Sequence, residues 1–300
     1  LKKAYIFIIL GATLWGTIGW YVNQLYDYGF SPMEVVILRA WTAAIMLVVY
    51  LLLFAKEQLR LRTVKDIQYF IGTGILSISF FNFCLFTTME LTTIPVATAL
   101  LYTGPAFVVI LSTFFLKETL NKEKIAALLF TFLGVSLVIE FFPSNMNTVS
   151  FQAVLFGLGA GCGYALYSIF SKFALRKYST LSITTYTFVT AAIALTPFFP
   201  FVEKGMLLLQ PNVILYAFGL GFLPTAFAYI IYTWGLKDIE ASKASILTTV
   251  EPVVAMIIGI FIFKETFTLQ QIIGMVIILG TILLIQHQPK KKTGFVKKAG

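Results

Sequence analysis

The chain has 300 residues, 59% hydrophobic and 12% charged, with a net charge of +9, against about 25% charged residues in a typical soluble domain. A soluble protein of this size buries only about 75% of its unfolded surface, too little to hide so much apolar side chain, so the bilayer is the expected solvent. Its Lys and Arg residues fall in short bridges and at the two ends, between long uncharged stretches, which excludes the continuous basic face that nucleic acid requires.

The first apolar run, Ala4 to Val22, follows Lys2 and Lys3. It is too long for a signal-peptide core and lacks a small-residue cleavage site, so it reads as a retained span. Four more follow at Val35–Ala55, Ile67–Met89, Leu91–Leu116 and Ile125–Phe142. Another five lie at Val149–Ser171, Tyr178–Val202, Val213–Leu236, Ala244–Phe263 and Phe267–Gln286. Each approaches the roughly 20 residues that a helix needs to cross a 30 Å hydrocarbon layer. The runs are apolar all round, whereas barrel strands alternate, so the expected fold is an all-α integral membrane protein with about ten transmembrane helices.

Basic residues set the expected orientation. With the N-terminus in the cytoplasm, 19 of the 22 Lys and Arg residues lie inside, including the five lysines between Lys290 and Lys298. Only Lys204 and Lys264 fall outside, and Arg39 sits within a span. That asymmetry predicts a multi-pass protein of the cell (plasma) membrane with both termini cytoplasmic. The tail 288–300 is read as a topological anchor.

The chain also repeats itself. Gly104 to Thr119 (GPAFVVILSTFFLKET) is echoed 147 positions later by Glu251 to Thr266 (EPVVAMIIGIFIFKET), and Thr42–Ile45 (TAAI) recurs as Thr190–Ile193. Residues 1–145 and 149–287 thus form two five-span halves, and an odd number of spans makes the second enter the membrane inverted. Inverted repeats characterise secondary transporters, whose substrate sites lie near the midplane between the halves.

The two KET bridges, the EPVVA stretch at Glu251–Ala255 and the five-plus-five plan resemble the EamA family of the drug/metabolite transporter superfamily. The resemblance spans nearly the whole chain. It implies an exporter of a small metabolite, such as an amino acid, an amino-acid analogue or a drug-like compound, driven by an ion gradient or by the substrate's own.

Two charges lie inside spans, Glu251 near the midplane of the ninth and Arg39 near the outer end of the second, and an intramembrane charge needs a reason. Glu251 is expected either to bind a substrate ammonium or exchange a coupling proton, or to pair with Arg39 or freed backbone donors and lock two helices. Arg39 leans towards a structural or snorkelling role. Pro105 and Pro252 remove the hydrogen bonds that would reach the carbonyls of Leu101 and Thr248, and mark helix kinks. Trp15, Asn82, Tyr102, Tyr164, Tyr167, Tyr229 and Tyr232 are the remaining amphipathic side chains that a midplane cavity could use, with packing as the bland alternative. Gly157, Gly159, Gly161 and Gly163 have the small-xxx-small spacing of close helix packing rather than the setting of a nucleotide loop.

Cys84 and Cys162 sit in apolar runs as small hydrophobes, and the lone His287 provides no metal set, so neither metal nor cofactor is expected. The sequence lacks a GxxxxGK[ST] motif, and its only His lies beyond the last span, which disfavours ATP hydrolysis and intramembrane enzymology. The expected partners are the lipid bilayer and a small-molecule substrate; no feature specifies an oligomeric state. The rival reading is a non-transporting membrane component, or a subunit of a lipid-linked sugar translocase.

Overall fold

The computed structural model describes residues 2–140, 149–264 and 268–286, and every regular element among them is helical. The first half contains α1 (Lys2–Trp15), α2 (Ile18–Asp27), α3 (Pro32–Phe54), α4 (Ile67–Ile71), α5 (Phe80–Leu91), α6 (Ile94–Leu101), α7 (Gly104–Leu111) and α8 (Lys122–Val138). The second contains α9 (Phe151–Ala174), α10 (Thr180–Leu195), α11 (Phe201–Lys204), α12 (Pro211–Gly221), α13 (Ala228–Asp238), α14 (Ala241–Leu247), α15 (Val250–Phe263) and α16 (Leu269–Gln286). Wide π-helical stretches join α4 to α5 (Gly72–Ser79) and α12 to α13 (Phe222–Phe227).

Among the described residues, eight helical segments are long and apolar enough to cross a membrane. The fifth and tenth expected spans appear as the 17-residue α8 and the 18-residue α16. Lys122, Glu123 and Lys124 fill the first turn of α8, so less of its length is apolar. Phe141, Phe142 and Phe267 at the expected span ends, Glu265 and Thr266 of the second KET bridge, His287 and the basic tail lie outside the described residues.

Helix starts follow local chemistry. Ser31 and Glu34 form a reciprocal capping box at α3, and Asn121, Ser150 and Ser179 cap α8, α9 and α10. The prolines act differently from simple kinks. Pro105 and Pro252 sit in the first turns of α7 and α15, where a missing N–H costs nothing, and the chain is interrupted just before them at Tyr102–Thr103 and Thr248–Thr249. The Thr248 carbonyl accepts the Glu251 N–H at 3.0 Å in place of the bond that Pro252 cannot make.

Equivalent positions in the two halves behave alike. The two interruptions agree to within one residue of the 147-residue offset. Lys117 and Lys264 end their helices in the left-handed region at φ 60° and 59°. Helices also exchange partners between halves: α1 packs on α13, and α9 on α5. Thr42 donates to the Ala217 carbonyl at 3.0 Å, and Thr190 donates to the Phe70 carbonyl at 2.9 Å. A Cβ on Gly221 would lie 2.0 Å from the Thr42 hydroxyl, and one on Gly74 would lie 1.9 Å from that of Thr190, so both crossings require glycine.

The glycine run of α9 is a packing surface on two sides. Gly157 and Gly161 press against Leu100 and Thr103 at the α6–α7 interruption, whereas Gly159 and Gly163 press against Cys84 and Phe81 of α5. Together these contacts hold the interruption against the helix that carries Tyr164.

Candidate functional site

Three interrupted helices meet at one cavity. Trp15 and Ile18 flank the α1–α2 break; Leu101, Tyr102 and Pro105 flank the α6–α7 break; Thr248, Thr249 and Glu251 flank the α14–α15 break, and all eight line it. Arg39, Phe81, Tyr164 and Tyr229 complete the wall. The α1–α2 break packs on the start of α15, since a Cβ on Gly16 would lie 2.8 Å from Val254, and the α6–α7 break packs on α9, since one on Gly104 would lie 2.7 Å from the Tyr164 ring. Breaking a helix beside a cavity exposes its terminal dipole and backbone groups to whatever enters, which a continuous helix cannot do.

Glu251 lies in the first turn of α15, where the unpaired N–H groups and the helix dipole favour a negative charge. Its carboxylate makes no hydrogen bond or ion pair with the described residues, so the expected lock with Arg39 does not form. Arg39 is held elsewhere: its Nε donates to the Thr225 hydroxyl at 2.7 Å, and its guanidinium lies 5.9 Å from the Tyr229 ring centroid. It therefore neither neutralises Glu251 by contact nor snorkels.

Thr225 was not legible as a site residue, although a signal for it exists. Pro224 lacks the N–H that would reach the Leu220 carbonyl, and the Thr225 hydroxyl donates to that carbonyl at 2.7 Å while accepting from Arg39. A proline followed by threonine inside an apolar span marks such a widened turn.

Aromatic rings close one side of the cavity. Tyr229 contacts Trp15, Tyr167 and Phe188 at centroid distances of 5.0, 4.9 and 5.1 Å. Tyr164 bonds Thr248 at 2.8 Å, and Tyr167 bonds Thr233, while Tyr232 bonds Ser168, both at 2.7 Å. These bonds fix the rings that a substrate would touch. Trp15 Nε1 and Ser77 Oγ, both buried beside them, have no hydrogen-bond partner among the described residues.

Of the residues singled out from sequence, Trp15, Arg39, Tyr102, Pro105, Tyr164, Tyr229 and Glu251 come together here. Asn82 does not. Its amide donates to the Ile78 carbonyl one turn back at 2.7 Å, so a polar side chain expected to serve the cavity or bridge helices is satisfied within its own helix. Tyr167 and Tyr232 line an adjoining void, and Pro252 is buried behind the cavity wall.

The cavity measures about 70 Å³, roughly two water volumes and far below the 300–1,000 Å³ of a typical small-molecule site. The helices must move before a metabolite fits. A polar knot joins two of them: Glu118, after α7, accepts from the backbone N–H groups of Ala241 and Ser242 at 2.5 and 3.1 Å and from the Ser242 hydroxyl. Lys124, 1% exposed, lies 3.2 Å from Glu240 and 3.8 Å from Glu118. Glu118 thus caps α14 rather than ending in solvent.

The profile of the EamA-like transporter family matches this chain twice, over residues 2–140 and 151–286. A transporter of Archaeoglobus fulgidus, itself uncharacterized, is 28% identical over 281 residues, spanning 92% of this chain and 94% of its own. The uncharacterized transporter YyaM of Bacillus subtilis is 29% identical over 266 residues and 84% of each chain. A solved crystal structure superposes with a TM-score of 0.74 over 94% of this chain and 96% of its own at 17% identity, a likeness of fold.

Proposed function

This chain belongs to the EamA-like transporter family, and from that premise we propose that it is a secondary transporter that exports a small metabolite by alternating access. The observation that carries the reading is the unpaired Glu251 carboxylate in a cavity where three helices break. A charge in that position costs about 2.5–3.5 kcal/mol on insertion scales. A bound cation or an exchangeable proton offsets that cost, giving the site a reason to exist.

The moving parts in this reading are two inverted five-helix halves, residues 1–145 and 149–287, within a ten-helix protein. Support comes from the matched helix breaks, the matched left-handed lysines and the exchanged partners of α1 and α9. Rocking one half against the other would enlarge the cavity from either side in turn. The substrate class is an amino acid, an amino-acid analogue or a drug-like compound, and the outward direction follows the family resemblance. Lys and Arg asymmetry supports a plasma-membrane location with both termini in the cytoplasm. No enzymatic step is assigned.

The test is a substrate screen on purified protein in liposomes under an imposed proton gradient, covering amino acids, polyamines and aromatic cations. Saturable movement of one class, absent from empty liposomes, supports the proposal. Folded protein that moves nothing across the panel counts against it.

A further inference from the structure

The bridge between the spans Pro32–Phe54 and Val64–Leu91 brings Lys56, Arg60, Arg62 and Lys65 to one end of the bundle, and the turn after α9 adds Arg176. All five side chains are exposed, and none forms an ion pair with a described residue. Of the acids on this stretch, Asp66 is 1% exposed and already bonded by Lys177 and Tyr178, which leaves Glu57 against five cations.

Hydrogen bonds hold the two segments in one surface. The Arg62 N–H donates to the Tyr178 hydroxyl at 2.8 Å, Ser179 donates to the Gln58 side chain at 2.6 Å, Ser182 to the Gln58 carbonyl at 2.8 Å, and Tyr186 to the Leu59 carbonyl. The backbone is thus fixed while the cationic side chains stay free. Arg176 is steadied further by the Phe173 ring, whose centroid lies 5.0 Å from its guanidinium.

The repeat supplies a control. At the offset that relates Thr42 to Thr190, the residues Lys56, Arg60, Arg62 and Lys65 correspond to Lys204, Leu208, Gln210 and Val213, and Arg176 corresponds to Tyr28. The opposite face builds its own clamp between the halves, from Lys204 to the Gly29 carbonyl at 2.6 Å and from Asn212 to the Tyr28 hydroxyl at 3.0 Å. Joining the halves therefore needs no free cation, and the five on this face are an addition that the fold does not use. Phe54, 73% exposed, and Val64, 80% exposed, border them where the flanking spans leave the hydrocarbon, so the cations sit at headgroup depth.

We propose that this surface binds the phosphate of an anionic phospholipid headgroup in the cytoplasmic leaflet, with Arg62 and Arg176 as its main contacts. The leaflet rests on the orientation read from the Lys and Arg asymmetry. Guanidinium groups hold phosphate through paired, charge-assisted N–H bonds, and a fixed backbone lowers the cost of presenting them. Arg62 and Lys65 come from the first half and Arg176 from the second, so the site straddles the seam between the two.

The experiment titrates the full chain, in neutral detergent, with phosphatidylglycerol, phosphatidylcholine or inorganic phosphate while thermal unfolding is followed. Phosphatidylglycerol should raise the midpoint saturably, as a ligand of the folded state does, and the other two should not. Arg62→Gln and Arg176→Gln change exposed side chains that take no part in the clamp's hydrogen bonds. Each should raise the half-saturating phosphatidylglycerol concentration about fivefold, the share of one cation at a charged membrane surface. Lys122→Gln, an exposed lysine in the first turn of α8, should leave it unchanged. An equal shift from phosphatidylcholine would mean that any lipid serves. A loss in Lys122→Gln as large as in the arginine variants would mean diffuse surface charge, and an equal shift from inorganic phosphate would mean a site for free anions. Each of these overturns the headgroup site. Unfolding reads no transport, so such a failure would leave the transporter reading to the liposome screen.

Discussion

Glu118 accepts the backbone N–H of Ala241 at 2.5 Å, so a carboxylate beyond α7 caps a helix 123 residues further along the chain. It also bonds Ser242 and lies near Lys124, which makes it the centre of the polar knot between α7, α8 and α14. Glu118→Gln keeps the shape but presents a donor where acceptors are needed, and should cost about 1–3 kcal/mol. Thermal unfolding of the detergent-solubilised variant checks this, with an unchanged midpoint arguing against the knot as a stabilising contact.

Thr225 does two jobs with one hydroxyl, donating to the Leu220 carbonyl and accepting from Arg39 Nε. Thr225→Val is nearly isosteric and leaves both groups unpaired in an apolar setting, so it should destabilise by about 1–3 kcal/mol for each group exposed. Thr225→Ser restores the hydroxyl and should recover most of the loss. Equal unfolding midpoints for the Val and Ser variants would mean that Arg39 finds another acceptor and that the contact is incidental.

What could be read from sequence divides along a physical line. Span positions, the repeat and the intramembrane charges depend on composition and periodicity, which are local, and seven of the candidate residues do meet in one cavity. Partner choice is not local. Glu251 and Arg39 look like an obvious ion pair in a string of apolar residues, yet Thr225, 186 positions away, takes Arg39 instead. Asn82 is a buried amide in an apolar span, and a carbonyl four residues back satisfies it, an option every helix offers and no pattern reveals. The missing N–H groups of Pro105 and Pro252 are visible in sequence and by themselves suggest kinks. That each begins a new helix after a two-residue break is set by packing from elsewhere in the chain, as where Gly104 and Gly161 crowd against Tyr164 and Thr103 at the break before Pro105.

Lys177, between α9 and α10, donates to Asp66 at 2.7 Å, and Tyr178 donates to the other carboxylate oxygen at 2.7 Å. The hydrogen bond to Asp66 holds the Lys177 pKa above its ordinary 10.5. A raised pKa on a base means that the folded state retains the proton more tightly. The pair's contribution is therefore complete below the unfolded pKa and fades as pH rises through the folded one. Lys177→Met should lower the unfolding midpoint at pH 7, and the gap from the parent should close as the pH rises through the raised lysine pKa, above its ordinary 10.5. A gap that persists undiminished beyond that pKa would assign the loss to packing of the lysine stem instead.

Glu251 separates a structural role from a functional one without knowledge of the physiological substrate. Were it a lock, replacing it would break contacts and the protein would lose stability. It has no hydrogen bond or ion pair to lose among the described residues. Glu251→Gln removes a charge whose insertion costs about 2.5–3.5 kcal/mol and forfeits the helix-dipole interaction of about 0.3–1 kcal/mol together with the longer-range attraction of Arg39 in the same cavity. The variant should therefore unfold at the same temperature as the parent or somewhat higher, while saturable transport in liposomes is lost or no longer responds to an imposed pH gradient. Retained transport with parent-like pH dependence would remove this carboxylate from the mechanism. A lower unfolding midpoint would show instead that Glu251 holds the helices together, and the site would have to be sought among the tyrosines alone.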